Sequence, residues 1–337
     1  MKRLISYSLL LVWLIPASTE AARLYLDPPR AVLQEGDATI IAVRLDVDQD
    51  SGECVNAADV VITYPDSIQA VDTTTRNSIF PVWVERPVIN EARNQVTFAG
   101  GIPNGYCGRI EGDPGITNVI AEIVFRAPGN NFGPESSSGL VNIDIASETS
   151  LYANDGFGTQ LTPETFGATV SILPGRGIQV RDPWSLIVQA DTIPPEPFSI
   201  QLERDGTLFD GDYYIVFNTS DKQSGIAVFE VMEEPLAEYN LFRFGQVGAP
   251  WREAKSPYRL QDQTLNSTIR VRAIDKAGNE YVATLVPDPS LRTRIIQPLE
   301  WVLIAFGSGF LAVMGWVVFN LYRRRQQREV TEPESSI

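Results

Sequence analysis

The chain has 337 residues, of which 27 are Lys or Arg, 42 are Asp or Glu and none is His, so its formal net charge is −15. This acidity argues against nucleic acid and anionic lipid surfaces as ligands, because both are bound through Lys and Arg. The lack of histidine excludes Ser-His-Asp and Cys-His mechanisms as usually built, and His-ligated zinc sites. We therefore expect a protein that is not an enzyme and needs no cofactor, with a polysaccharide-degrading enzyme component as an alternative, since glycoside hydrolysis needs carboxylates alone.

The N-terminus has the pattern of a secretory signal peptide. Lys2 and Arg3 precede an apolar run over residues 4–15, which is shorter than the roughly 20 residues needed to span a bilayer. A small residue, Ala21, follows at a suitable distance for cleavage. We predict a signal peptide over 1–21; an uncleaved anchor or a buried helix is the alternative.

The chain contains two cysteines, Cys54 and Cys107. An even, low number of cysteines in an exported chain favours a single disulfide bond. Two reduced cysteines in different places are the alternative, and the spacing does not suit a metal or redox motif.

Residues 23–173 have the pattern of a β-sandwich. Short alternating segments predict strands at 39–47, 55–64, 95–99, 119–127, 140–146 and 167–173, with Gly, Pro, Asn and Asp between them. No segment predicts a helix of four turns. In the second of these strands, alternation puts Asp59, Val61 and Thr63 on one face and the more apolar set of Val60, Ile62 and Tyr64 on the other. The second set is the predicted core.

The order of several motifs in this domain resembles the cohesin family. The motifs are Leu26-Asp-Pro-Pro29, Glu35-Gly-Asp37, Ala58-Asp-Val-Val-Ile-Thr-Tyr-Pro65, Thr97-Phe-Ala-Gly-Gly101, Ile120-Ala-Glu-Ile-Val-Phe-Arg-Ala127 and Tyr152-Ala-Asn-Asp-Gly-Phe-Gly-Thr159. The resemblance implies a cohesin-like jelly-roll sandwich that docks a dockerin-like protein module. Relatives of the family include carbohydrate-binding sandwiches, so a polysaccharide is the other partner it implies.

The resemblance also implies a docking face, although this chain departs from the family there. Cohesins that bind dockerins carry an Asn and an Asp two residues apart on an outward strand face. Asp59 matches the Asp, but Ala57 stands where the Asn would be, which removes a side-chain hydrogen-bonding group. The partner-binding residues predicted from the resemblance and from alternation are Asp59, Val61, Thr63, Thr97 and Ala99; an ordinary solvated surface is the alternative.

A second domain is predicted over 197–287, after a linker at 174–196 rich in Pro and Gly. Strands are expected at 198–202, 213–219, 227–232, 268–274 and 280–285, the last two joined by a turn with Gly278 and Asn279. The pattern resembles bacterial Ig-like or fibronectin-III-like modules of surface proteins. Such modules usually act as spacers, which is the role the resemblance implies.

Two further kinds of site are possible from residue type alone. Trp83, Tyr106 and Trp251 could stack on a sugar, as could aromatic side chains of the segment 234–257, although packing within their own domain is the more ordinary role. Asp46, Asp48 and Asp50 are candidate calcium ligands in a loop. They do not form an EF-hand, because the glycine is one position late and residue 57, twelfth in the loop, is alanine.

The C-terminal segment is predicted to cross a membrane. Residues 301–321 carry no charge and are long enough to span the hydrocarbon core, and Trp301 and Tyr322 lie at the two edges. The basic residues Arg323, Arg324, Arg325 and Arg328 follow, so the positive-inside rule puts the tail in the cytoplasm. The predicted order ends with a juxtamembrane segment at 288–300, a transmembrane helix at 301–322 and a cytoplasmic tail at 323–337.

These features together predict a single-pass membrane protein with an extracellular or periplasmic N-terminal part. Its expected work is non-covalent: a scaffold that docks a protein partner or a polysaccharide. A structural protein of the cell envelope with no free ligand is the alternative.

Overall fold

The computed structural model describes residues 22–47, 53–109, 117–129, 139–175, 179–236, 249–292 and 298–329. The predicted signal peptide lies outside these residues, as do Asp48, Asp50 and residues 237–248 of the aromatic segment 234–257. The described residues form two β-rich domains followed by a long C-terminal helix.

The first domain is a β-sandwich of two sheets, which confirms the predicted fold class. Its strands are β1 (Arg23–Asp27), β2 (Arg30–Gln34), β3 (Ala38–Asp46), β4 (Val55–Thr63), β5 (Gln69–Thr74), β6 (Val82–Asn90), β7 (Gln95–Tyr106), β8 (Val119–Arg126), β9 (Gly139–Ile145), β10 (Ser150–Ala153), β11 (Gln160–Leu161), β12 (Glu164–Phe166) and β13 (Ala168–Leu173). One sheet has the order β12-β1-β3-β8-β5. The other follows β11-β10-β4-β9-β13-β2, and β7 pairs with both β4 and β6.

The core of the first domain lies between these sheets. Phe98 on β7 and Phe125 on β8 are among the largest side chains with no exposed surface, and they pack with leucine, isoleucine and valine from both sheets. Strand β8 has buried residues at every position but the last, whereas most other strands alternate. A strand buried on both faces needs a second layer of structure over its outer face, and a helix supplies it.

That helix is α1 (Pro183–Ala190), which lies within the segment predicted as a linker. Asp182 caps it by accepting a hydrogen bond from the Ser185 amide, and proline occupies its first turn, where no amide hydrogen is needed. Trp184 packs against Val124 and Ala38 on the outer face of the first sheet. The connection between the domains is therefore partly folded onto the first domain rather than being an extended spacer.

Asp37 binds Arg181, which lies just before α1 in the connection between the domains. The carboxylate is 0% exposed and accepts hydrogen bonds from the backbone amides of Gln34 and Arg181, and its Oδ2 lies 2.8 Å from Nη2 of Arg181. Burial raises the pKa of Asp37, but the hydrogen bonds from Arg181 and Gln34 outweigh it and hold the pKa below its usual value. The charged form is therefore more stable in the folded chain than in the unfolded one.

Asp37→Asn is expected to lower the free energy of unfolding by about 2 kcal/mol at pH 7, because a buried, charge-assisted hydrogen-bond set is lost. Since the folded pKa is depressed, this stabilisation is complete above the unfolded pKa of about 4 and is lost as the pH falls below it. Urea unfolding of both proteins at pH 7 and pH 3 measures it, with Glu203→Gln on an exposed strand position as the control. An equal difference at both pH values would contradict this role for Asp37.

The second domain contains two smaller sheets around a separate core. Its strands are β14 (Gln201–Arg204), β15 (Tyr213–Val216), β16 (Ile226–Pro235), β17 (Arg252–Ala254), β18 (Tyr258–Arg259), β19 (Ser267–Asp275) and β20 (Glu280–Leu285), in the orders β14-β15-β18 and β17-β16-β19-β20. Short 3-10 turns occur at Phe209–Gly211 and Pro289–Leu291. Ile215 and Phe217 from one side pack with Phe229, Val271 and other apolar residues from the other. The hairpin predicted around Gly278 joins β19 to β20.

The two domains contact each other directly through hydrogen bonds at what we call the junction. The hydroxyl of Thr74, at the end of β5, donates to the carbonyl oxygen of Ser224 at 3.2 Å. The ammonium group of Lys276 binds the carboxylate of Asp72. Both contacts join the first sheet of the first domain to loops at one end of the second.

Arg86 of β6 extends the junction. Its guanidinium donates to Oδ1 of Asn218 at 2.9 Å and to the Thr75 hydroxyl at 3.1 Å, and it lies 5.2 Å from the centre of the Phe229 ring. Burial lowers the pKa of Arg86 to about 10, so it remains charged at neutral pH. Arg86 is half-buried and binds a residue of each domain, Thr75 in the first and Asn218 in the second, so it contributes directly to the contact between them.

The chain continues into α2 (Pro298–Glu329). Within it, residues Ala305–Arg324 form one helix long and apolar enough to cross a membrane, by length and composition. None of the residues in the most apolar part of this segment is buried against the rest of the described chain. A helix with an apolar surface all round needs an apolar surrounding, which a bilayer would supply.

Candidate functional site

Strands β4 and β7 form the middle of one outer sheet surface of the first domain. The burial pattern of β4 confirms the predicted alternation: Val60 and Ile62 are fully buried, whereas Asp59 is exposed and Val61 and Thr63 are half-buried. Tyr64, just after the strand, is buried as predicted. The predicted outward residues of the strand therefore share one face.

The register brings the predicted residues of β4 and β7 together. Asp59 lies opposite Ala99, and Val61 lies opposite Thr97. Thr63 lies opposite Gln95 at the end of the same ladder. Directly opposed residues in an antiparallel pair project to the same side at about 5 Å, so these side chains form one continuous surface. We call Asp59, Val61, Thr63, Thr97 and Ala99 the outer face.

Strand β6, which the sequence pattern did not predict, widens this surface. Glu85 lies opposite Ala99, and Val88 lies opposite Thr97. Two rows therefore cross three strands, one from Asp59 through Ala99 to Glu85 and one through Val61, Thr97 and Val88. The centre is made of small side chains, and acidic groups flank it in the first row. Rows of small side chains across paired strands suit contact with another folded surface better than enclosure of a small molecule.

Glycines allow the strands to approach closely at one end of the outer face. A Cβ atom at Gly101 would lie 2.4 Å from the carbonyl oxygen of Asn56, and one at Gly100 would lie 2.8 Å from that of Val82. Neither distance is possible for a real Cβ atom. The Gly-Gly pair therefore fixes the packing of β4, β7 and β6 against one another.

The disulfide bond between Cys54 and Cys107 closes the same end. It confirms the predicted pairing, and its Cα atoms are 4.2 Å apart. Cys54 precedes β4 and Cys107 follows β7, next to the paired residues Val55 and Tyr106. The bond therefore fastens together the two central strands that carry the outer face.

The aromatic residues predicted as sugar-binding lie in different environments. Trp83 is half-buried, with its ring centre 6.0 Å from that of Phe80 and 6.3 Å from that of Phe98, and Tyr106 is buried in the same core. Trp251 belongs to the second domain, where the guanidinium of Arg272 lies 4.6 Å from its ring centre. Trp83 also lines a cavity between the two domains, whereas Tyr106 and Trp251 do not line it, so the three rings are not brought together at one place.

Asp46 is the only predicted calcium ligand among the described residues. It ends β3, and its Oδ2 lies 3.7 Å from Nη2 of Arg109. The other two predicted ligands, Asp48 and Asp50, lie outside the described residues. This carboxylate therefore has a basic neighbour.

No protein-family model matches the sequence, and no curated protein matches it. Similar solved structures are cohesins. The structure of a type I cohesin–dockerin complex from Clostridium thermocellum includes a chain that is 11% identical over 46% of this chain and 95% of that chain, with a TM-score of 0.36. The sixth cohesin of scaffoldin B from Acetivibrio cellulolyticus is 12% identical over 45% and 99%, with a TM-score of 0.34. A cohesin module from a family 33 glycoside hydrolase of Clostridium perfringens is 14% identical over 46% and 99%, with a TM-score of 0.34. At these values the similarity concerns the fold alone.

Proposed function

We propose that this chain is a membrane-anchored scaffold whose first domain docks a protein partner through the outer face. The observation that carries this function is the register of β4 and β7, which joins the five residues predicted from the sequence into one surface. The partner implied by the sequence resemblance is a dockerin-like module. Ala57 replaces a hydrogen-bonding residue of that family, so the partner must be held by other contacts.

Anchoring and export complete the proposed function. Helix α2 would hold the chain in the membrane, with the two β-domains on the extracellular or periplasmic side and the basic tail in the cytoplasm. A truncated chain ending at residue 296 should leave the membrane fraction and appear in the soluble exported fraction. Retention of this truncated chain in the membrane fraction would contradict anchoring by α2.

Docking is tested by charge reversal on the outer face. The full chain in detergent is immobilised, and proteins captured from an extract of the same cells are identified, with binding of the captured protein then measured directly. Asp59→Lys should weaken binding at least 10-fold, about 1.4 kcal/mol, because a reversed charge beside the small central side chains leaves an unmatched group in the interface.

Glu203→Lys is the matched control, since it makes the same charge change at an exposed strand position of the second domain. It should bind like the unchanged protein. Equal weakening by both variants would indicate a general charge effect, and unaltered binding by Asp59→Lys would exclude the outer face as the docking site. Capture of a polysaccharide in place of a protein would also overturn this function.

A further inference from the structure

Three aspartates from distant parts of the chain meet at the end of the second domain that faces the first. Asp191 follows α1, Asp221 lies between β15 and β16, and Asp275 ends β19. One carboxylate oxygen from each lies within 4.8 Å of the others. They are 7%, 2% and 2% exposed, so this is a buried cluster and not a group of solvated surface acids.

Two of the carboxylates are held in place by hydrogen bonds. Asp191 accepts from the amide and the hydroxyl of Ser224, at 3.2 and 2.6 Å, and from the amide of Ile193 at 3.0 Å. Asp275 accepts from the backbone amide and the side-chain amide of Asn279, at 2.8 and 2.9 Å. These donors are neutral, so they orient the carboxylates without neutralising their charge.

Asp221 differs from the other two because only one of its two carboxylate oxygens accepts hydrogen bonds from described residues. Its Oδ1 accepts hydrogen bonds from the amides of Gln223, Ser224 and Gly225. No described residue donates a hydrogen bond to its Oδ2, although the residue is almost fully buried. A carboxylate oxygen that accepts no hydrogen bond, on a residue only 2% exposed, is costly and points to a group that the described residues do not supply.

The nearby Lys and Arg side chains do not neutralise the three carboxylates. The ammonium of Lys276 binds Asp72, and the guanidinium of Arg76 binds Glu122 at 2.7 Å. Among the described residues, no Lys or Arg forms an ion pair with any of the three aspartates. Burial, together with the neighbouring charge of Asp191, raises the pKa of Asp221. The cluster therefore carries negative charge that the described residues leave uncompensated.

We propose that Asp191, Asp221 and Asp275 bind a calcium ion. Calcium takes carboxylate oxygens at about 2.3–2.6 Å in flexible geometry, so two of its ligands can lie up to about 5 Å apart across the ion. The separations within the cluster satisfy this limit. Magnesium requires shorter bonds and near-ideal octahedral geometry, so it should bind more weakly.

The bound ion would connect the first domain to the second. Asp191 is the C-terminal cap of α1, which packs on the first domain, whereas Asp221 and Asp275 belong to the second. Ser224 links the cluster to the junction, because its amide binds Asp191 and its carbonyl oxygen accepts from Thr74. A cation held by all three carboxylates would therefore fix the second domain relative to the first.

Calcium binding is tested on the full chain in detergent after removal of divalent ions with a chelator. Titration calorimetry with CaCl2 at pH 7 should show saturable binding of one ion per chain with a Kd below about 100 μM. In 1 mM CaCl2, which is at least 10-fold above that Kd, the melting temperature should rise by several degrees relative to chelator. MgCl2 should give a smaller rise at the same concentration.

Asp221→Asn should weaken calcium binding at least 10-fold, while Asp205→Asn, an exposed aspartate of the same domain, should bind like the unchanged chain. Circular dichroism establishes that the variants are folded, and Asp275→Asn provides a second test if Asp221→Asn is not. Equal melting temperatures of the unchanged chain in chelator and in calcium, with no heat of binding, would overturn the site. Equal weakening by Asp205→Asn would also do so, because the ion would then bind to surface acids in general.

Discussion

Replacement of both Cys54 and Cys107 by alanine is expected to lower the free energy of unfolding of the first domain by about 4 kcal/mol. The disulfide closes a loop with a sequence separation of 53, and restricting a loop of that length removes unfolded-state entropy worth about 4 kcal/mol at 25 °C. Native disulfides typically contribute about 2–5 kcal/mol. The bond also joins the ends of β4 and β7, so its loss should loosen one end of the outer face.

Guanidinium unfolding of the full chain in detergent, followed by circular dichroism of the β-sheet signal, measures this effect. Treatment of the unchanged protein with a reductant is the matched control and should reproduce the variant. A loss below about 1 kcal/mol would indicate that the strand contacts alone fix the loop.

Gly225→Ala is expected to uncouple the two domains. Gly225 has a φ of +85°, and a Cβ atom there would lie 2.1 Å from Oγ1 of Thr74 across the junction. The backbone conformation costs about 1 kcal/mol for alanine, and the steric conflict adds about 1–3 kcal/mol because Thr74 must move and release the Ser224 carbonyl. Differential scanning calorimetry should show the domains melting in separate transitions.

Gly211→Ala distinguishes the cost of the backbone conformation from the cost of the steric conflict with Thr74. Gly211 has a similar φ of +80° in the same domain, but the nearest atom to a Cβ there is 3.8 Å away, an ordinary contact. It should therefore show only the backbone cost and keep the domains coupled. If both variants lost the same stability and melted alike, the junction would contribute nothing to the coupling.

The parts of the fold that were predictable are those coded by local patterns. The alternation around Asp59 gave the buried and outward faces of β4 correctly, because one side of the strand lies on the core. The predicted strand at 280–285 matches β20, where a Gly-Asn turn marks the start. The predicted single disulfide also agrees with the structure.

Strand β6 and helix α1 were missed for physical reasons. β6 contains Pro87 and two irregularities of register, so its side chains do not alternate regularly. Helix α1 has eight residues and a single buried side chain, Trp184, which is too little for a helical period to stand out. Its position depends on Val124, whose outer face it covers, and that contact is not visible in the local sequence.

The two candidate sites likewise differ in whether a local sequence pattern could predict them. The outer face combines neighbours in two strands, so alternation was enough to group its residues. Asp191, Asp221 and Asp275 are separated by tens of residues, and only the folded arrangement brings them together. The acidic run around Asp46 was more conspicuous in the sequence, although Asp46 lies next to Arg109 in the fold.

The place where the first domain ends has a mechanical consequence. Strand β13 is hydrogen-bonded on both sides, antiparallel to β9 and parallel to β2, and the chain leaves it toward α1. In a chain held by a partner at the outer face and by a bilayer at α2, tension would load the junction and the packing of α1 before it reached the pair between Asp37 and Arg181. It would then act along the axis of β13, so the hydrogen bonds to both neighbours would be sheared together and could not be peeled apart one at a time. If the chain were held at these two places, the first domain would therefore resist force applied along β13.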